Sequence, residues 1–285
     1  MTKPIVSVIV PTIRTSNWDV LLDSLSNNDI EYEVIFVGPE DNKKKLESNV
    51  RFIRTAVKPN QCIHIGILLS KGEYVINTAD DYVFSNNALD LLYKGLKSIG
   101  EDNHAVIGKF AAGIVSEDGI IEVSQRKRRH MGFFGRYSGG YLKKNMYCPI
   151  IANGESILYK KDHYLRLGGY DSRFISCYGD IDFCMRLLEN DIKIEIVRGV
   201  KFIEVSESSI ISGDQSNQDC ALFYSLWCRY NDSLERYGPD RLINIDKKKI
   251  KKQLVVACKN RSIPIIPFNN ENLLEISQGP KGKWI

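Results

Sequence analysis

A chain of 285 residues with 43% hydrophobic and 26% charged side chains suits one large α/β domain with an appendage, or two small domains, of the ordinary soluble globular type. Its formal net charge of +4 is too small to argue for nucleic acid, and no run approaches the ~18–20 apolar residues needed to span a bilayer. The apolar run Ile5–Val10 is too short and wrongly flanked for a signal peptide, and the seven cysteines include no CxxC pair; free thiols in a reducing, cytoplasmic compartment are the expectation.

The first half alternates strand and helix signals. Val6 to Val10 reads as a buried strand stopped by Pro11, and Ser16 or Asn17 can cap a helix carrying Trp18, Leu21, Leu22 and Leu25 at helical spacing. Glu33–Val37 is a second strand ended by Gly38-Pro39, and Arg51–Arg54 a third. Gly66–Ser70 reads as helical, with Lys71-Gly72 ending it before the strand Tyr74–Asn77. This order predicts a mostly parallel sheet flanked by helices, and such sheets bind ligands at the carboxyl ends of their strands. Attention therefore falls on the loops after Val10, Val37 and Asn77.

In the middle, Ala105–Lys109 and Gly113–Val123 read as strands, the latter folded as a hairpin at Glu117-Asp118-Gly119. Residues 124–147 set Arg126, Lys127, Arg128, Arg129, Arg136, Lys143 and Lys144 among aromatics and glycines, a long loop of functional composition. Glu155–Tyr159 returns to strand, Leu167–Tyr170 is a turn, and Ile181, Cys184, Met185 and Leu188 form a helical stripe. Beyond about residue 210 the pattern becomes helical and then lysine-rich.

Two acidic constellations carry the chemistry. Asp80-Asp81 follows a strand, and adjacent carboxylates there repel unless something positive joins them. A divalent cation holding a diphosphate is one such partner, since Mg²⁺ takes one or two carboxylates plus phosphate oxygens. A solvated turn capping the helix that Leu89 and Leu92 define is the alternative. Asp180 and Asp182 stand at a helix N-terminus, where one can cap free N–H groups and the other can act as a general base.

Taken in order, these pieces resemble family 2 glycosyltransferases of the GT-A fold over roughly residues 4 to 210. The likeness rests on Val6–Thr12, on Gly66-Ile67 through Ser70–Val75, on Asp80-Asp81 where a DxD-type metal motif falls, and on Gly168–Asp171 followed by Gly179–Leu187. It implies a GT-A (Rossmann-like) mostly parallel mixed sheet over 1–210, with 211–285 a helical, lysine-rich extension. The activity implied is inverting, metal-dependent transfer of a sugar from a nucleotide diphosphate-sugar, usually a UDP-sugar, in polysaccharide or glycan biosynthesis. Asp180 would be the general base, and Asp81 would hold Mn²⁺ or Mg²⁺ on the diphosphate. Pro11, Thr12, Arg14, Gly38, Glu40, His64 and Asp80 would lie on the donor side.

The chain also departs from the family pattern. Ala79 stands where an acidic residue is common, Gly38-Pro39 where an aspartate reads the uracil, and Ile63-His64 where an arginine-asparagine pair is expected. The late histidine ligand is missing, leaving Glu204, Glu207 and Asp214 as its only acidic substitutes between residues 200 and 215. These departures motivate the other reading, a non-catalytic nucleotide-sugar or glycan-binding module. A nucleotidyltransferase is disfavoured, because Pro11–Arg14 is no glycine-rich phosphate loop.

The expected partners are the donor and a glycan, lipid-linked or small-molecule acceptor, without nucleic acid. For the 124–147 loop, donor or acceptor contact ranks first, a solvated loop close behind and nucleic acid well below. The basic stretch 247–256 is a candidate for weak peripheral membrane contact.

Overall fold

The computed structural model describes residues 3–40, 45–115, 121–124 and 155–205, together with 218, 219 and 222. The basic aromatic loop beyond Ser124 and the stretch 247–256 lie outside the described residues, as do most positions of the C-terminal extension.

Val6–Pro11 forms β1, and its fully buried Val6, Val8, Ile9 and Val10 make it the spine of the core. Runs of β-branched residues without polar alternation suit a strand covered on both sides. β2 (Tyr32–Gly38) and β4 (Tyr74–Asn77) flank β1 in parallel, and β3 (Val50–Arg54) adds to β2, also in parallel. The connections are α1 (Trp18–Leu25), reached through a 3₁₀ turn at Thr15–Asn17, and α2 (Pro59–Leu69). Proline at the first turn of α2 costs no hydrogen bond, because that N–H is unpaired in any helix. The helix is longer than its apolar spacing predicts: buried Asn60 and His64 interrupt the pattern before Gly66. Gly66 lets α2 lie close on the sheet, since a Cβ there would stand 2.4 Å from Ile9 Cγ2.

The second half of the sheet mixes directions. β5 (Tyr82–Phe84) follows the Asp80-Asp81 turn, and α3 (Ala88–Ile99) leads to the long β6 (His104–Val115). The sequence divides that strand at Lys109, whereas the chain continues through it and shifts register against its neighbour between Ile107 and Lys109. β7 (Ile121–Ser124) returns antiparallel to β6, so the expected hairpin forms, with its turn outside the described residues. β8 (Ile157–Lys160), α4 (Lys161–Arg166), α5 (Gly179–Glu189) and β9 (Lys193–Glu204) complete the order. The nine-stranded sheet runs β3-β2-β1-β4-β8-β6-β9-β5, with β7 on β6. The β1–β4 half is parallel; β4·β8, β6·β8 and β5·β9 are antiparallel.

This topology brings the site together. The parallel strands β1, β2 and β4 end side by side, and antiparallel β8 begins where β4 ends, with Ser156 N donating to Asn77 O at 2.5 Å. The end of β9 is tied to the same place, because Val205 N donates to Asp81 O at 2.8 Å. Asp80 and Asp81 therefore do not cap α3; β5 separates them from it, and Asn87 occupies the N-cap.

Candidate functional site

The loop after β1 is built around one carboxylate. Asp80, 4% exposed, accepts the Thr12 hydroxyl at 2.9 Å, Ile13 N at 3.2 Å and Arg14 N at 3.1 Å through Oδ2. Its Oδ1 takes Arg14 Nε at 3.0 Å and the same guanidinium's terminal nitrogen. Thr12 is held in turn: its hydroxyl oxygen accepts Trp18 Nε1 at 2.8 Å, and the Trp18 ring stacks on Phe36 with centroids 4.0 Å apart. The order Trp18, Thr12, Asp80, Arg14 thus runs from the apolar core to the mouth of the site.

Arg14 also reaches Asp81 Oδ2 at 3.2 Å, so one guanidinium neutralises both adjacent carboxylates. Burial opposes the Arg14 charge, but Asp80 and then Asp81 outweigh it and hold its pKa above the usual value. The positive partner that an Asp-Asp pair requires is therefore supplied by the chain itself. Asp81 remains the less satisfied of the two: burial and the Asp80 charge raise its pKa against the pull of Arg14.

Beyond this pair, the carboxyls of Asp180 and Glu204, like that of Asp81, come within electrostatic reach of Glu155. Glu155 keeps part of its surface exposed, yet its carboxyl is enclosed. That burial, then the charges of Asp180, Asp81 and Glu204, push its pKa well above the carboxylate range, while a hydrogen bond with Tyr82 works the other way. Tyr82 and Glu204 are register partners in the β5·β9 pair, which sets Glu204 beside Asp81. The sequence marks Glu155 only as the start of a strand; a carboxylate opening an otherwise apolar strand is the signal it offers.

Asp180 and Asp182 separate in role at the start of α5. Asp182 is fully buried, its Oδ2 accepts Arg186 Nε at 3.0 Å, and Arg186 goes on to donate to Leu167 O at 2.6 Å and Gly169 O at 2.5 Å. That network staples α5 to the Gly168-Gly169 turn, whose residues take φ of 80° and 71° as glycine permits. Asp180 is half-buried, and its charge reaches Glu155.

The remaining donor-side candidates divide. Pro11 closes β1 in register with Val37, and Gly38 lies against Thr12, where a Cβ would stand 1.8 Å from Thr12 O. Glycine there lets the loops after β1 and β2 touch. Glu40 is exposed at the end of that second loop. His64 is drawn elsewhere: its Nδ1 shares a 2.9 Å bond with Tyr164 Oη, and it packs beneath Gly169. With Asn60, Gln61, Tyr170, Asp171 and Ser172 it lines a cavity of about 10 Å³, about the size of one water.

Burial lowers the His64 pKa from 6.5 to about 4. The unfolded chain binds a proton here between those values and the folded chain does not. Stability should therefore fall as pH drops from 6.5 through about 4, by about 3 kcal/mol from this group. Thermal melts of a His64→Gln variant across that window should show a shallower acid-side slope than the wild type.

Asp80 has its acceptor sites taken by donors from the β1 loop, so it does not fit a metal ion. Among the described residues no three His, Cys, Asp or Glu side chains are arranged to hold one. Asp81, under-compensated and meeting Arg14 through one oxygen, fits a cation shared with phosphate oxygens better than one held in a protein cage.

The architecture is that of the GT-A glycosyltransferases. No family model and no curated protein matches the chain. It superposes on residues 1–349 of S. aureus TarS in complex with UDP at a TM-score of 0.53 and 14% identity, over 87% of this chain and 69% of that one. GalNAc-T7 with UDP, GalNAc and Mn²⁺ gives a TM-score of 0.59 at 13% identity, over 90% of this chain and 55% of that one. A further S. aureus TarS structure is similar at 0.55 and 15%, over 87% of this chain and 42% of that one. The chain spans less than two thirds of the last two. At these identities the likeness shows the fold alone.

Proposed function

We propose that the chain is an inverting glycosyltransferase that moves a sugar from a nucleotide diphosphate-sugar, of the UDP class, to an acceptor hydroxyl. The observation that supports this reading is the meeting of the β1 loop and a group of carboxyls at one end of the sheet. The loop after β1 is organised there by Asp80 and Arg14, and the half-buried Asp180 and Asp81 both act on the carboxyl of Glu155. The UDP in similar solved structures supports the choice of donor.

In this reading Thr12, Ile13 and Arg14 form the floor of the nucleotide site, and Gly38 keeps its wall close. Asp180 takes the proton of the acceptor hydroxyl as that oxygen attacks the anomeric carbon. The bond from that carbon to the diphosphate breaks on the opposite face, and the configuration inverts. Asp81 would hold Mn²⁺ or Mg²⁺ against the diphosphate, with Glu204 beside it in place of the missing late histidine. The ion's chemistry there is to offset the charge of the departing nucleoside diphosphate. Arg14 contributes a fixed positive charge at the same mouth, preorganised by its carboxylates.

A calorimetric titration with UDP tests the donor half. Binding should be measurable with Mn²⁺ and at least about tenfold weaker in a chelator; absence of binding in both conditions would refute the reading. One observation favours a non-catalytic nucleotide-sugar or glycan-binding module: Arg14 already compensates the Asp80-Asp81 pair. Equal UDP affinity with and without metal, joined to zero turnover, would decide for that module.

A further inference from the structure

Asp219 belongs to the stretch assigned to the C-terminal extension, and its side chain is spent inside the catalytic fold. It is 1% exposed, and its carboxylate accepts Ile175 N at 2.9 Å on one oxygen, and Ser176 N and Cys177 N, both at 2.8 Å, on the other. Three consecutive backbone donors aimed at one carboxylate form an anion-binding concavity, here filled by the chain's own aspartate from 42 to 44 residues away.

That loop leads into the start of α5. Tyr178 takes φ of 62°, a left-handed conformation that a bulky side chain adopts only when its surroundings impose it. Gly179 comes next, wedged over the buried Asn60, whose Nδ2 would stand 2.5 Å from a Cβ there. Gly179 N donates to Cys177 O at 2.8 Å and Asp182 N to Tyr178 O at 2.8 Å, so the loop geometry passes directly into the first turn of the helix. A further backbone tie, Asn60 N to Ile175 O, is longer at 3.4 Å. Asp180 therefore takes its place from a strained step whose upstream amides are gathered by the Asp219 carboxylate.

We infer that Asp219 is a positioning residue for Asp180: by gathering the amides of Ile175, Ser176 and Cys177 it sets the entry into α5 and with it the reach of the proposed base. The inference rests on the transfer reading and adds to it that residues beyond β9 are required for turnover. A positioning fault acts on the chemical step more than on donor binding, because the β1 loop and Asp80 are held independently by Trp18 and Arg14.

The test uses the full chain with Asp219→Asn, which keeps the size but turns one acceptor into a donor facing the loop amides. Transfer kinetics and amide hydrogen exchange are read together. The expected result is a kcat lower by about 10–100-fold, the scale of a catalytic group displaced by ~1 Å. Donor KM should stay within about twofold. Exchange at Ile175, Ser176 and Cys177 should rise by about tenfold or more, while the β2 amides are unchanged. Asp219→Glu, which keeps the carboxylate, should recover part of kcat, and it carries the test if the asparagine variant does not fold. Faster loop exchange with wild-type kcat, or a fall in kcat matched by a rise in donor KM, would overturn the positioning role alone. A wild-type chain that turns over no donor would overturn the transfer reading, and this inference with it.

Discussion

Replacing Asp180 with asparagine should lower transfer by about 10²–10⁴-fold, the range for loss of a general base, while changing UDP affinity by no more than about twofold. The amide has the size of the carboxylate and can still occupy the first turn of α5, but it cannot take a proton at neutral pH. Helix position should survive, because Asp182 and Arg186 tie α5 to the Gly168-Gly169 turn. Glu155 should respond as well, since its pKa is raised by burial and then by the Asp180 charge. The variant should lower that pKa, which carboxyl-region infrared difference spectra across a pH series would detect. Equal losses from Asp180→Asn and Asp182→Asn, accompanied by equal losses of thermal stability, would mean that both residues merely build the helix start.

The larger structural effect is expected at Asp80. Asp80→Ala removes the acceptor for the Thr12 hydroxyl, two backbone N–H groups and the Arg14 guanidinium at once. Truncating one partner of a buried, hydrogen-bonded ion pair costs about 3–5 kcal/mol, because the other charge is left behind. Arg14 is 25% exposed and keeps Asp81, so about 3 kcal/mol is the expected loss in denaturant unfolding. UDP affinity should fall by about 100-fold or more, since the amides of Ile13 and Arg14 lose their common anchor. Asp81→Ala should be milder in stability, because its burial raises its own pKa and it contributes one contact to Arg14.

The parallel half of the fold is legible in the sequence because β1, β2 and β4 are buried on both sides and bounded by their own turn chemistry, with the half-buried β3 at the edge. Val6–Pro11, Tyr32–Gly38, Val50–Arg54 and Tyr74–Asn77 all stand where the apolar runs put them, and their carboxyl ends gather as that topology requires. β9 escapes notice because Lys193, Glu195, Arg198 and Lys201 break its apolar pattern, and Gly199, with φ of 89°, interrupts the alternation. Those exposed charges belong to a strand whose pairing with β6 shifts register, so a period of two is not maintained.

The acidic pair is legible as a position and not as a geometry. Nothing local to Asp80-Asp81 says that Arg14, 66 residues earlier than Asp80, folds back onto both carboxylates. The same holds for Trp18, which reads as an apolar helix residue and whose ring nitrogen is what orients Thr12. His64 shows the converse. Its place in the sequence implies a donor contact, whereas burial against Tyr164 gives it a neighbour on the α4–α5 side. Long-range polar pairings depend on how strands are ordered, and no single segment carries that information.

The most direct test of the transfer reading is turnover of a panel of nucleotide diphosphate-sugars by the full chain with Mn²⁺, measuring release of the nucleoside diphosphate in wild type and Asp180→Asn side by side. The wild type should release it from at least one UDP-sugar, at a rate about 10²-fold or more above that of the variant. Release at equal rates from both proteins, or from neither with any donor in the panel, would contradict that reading.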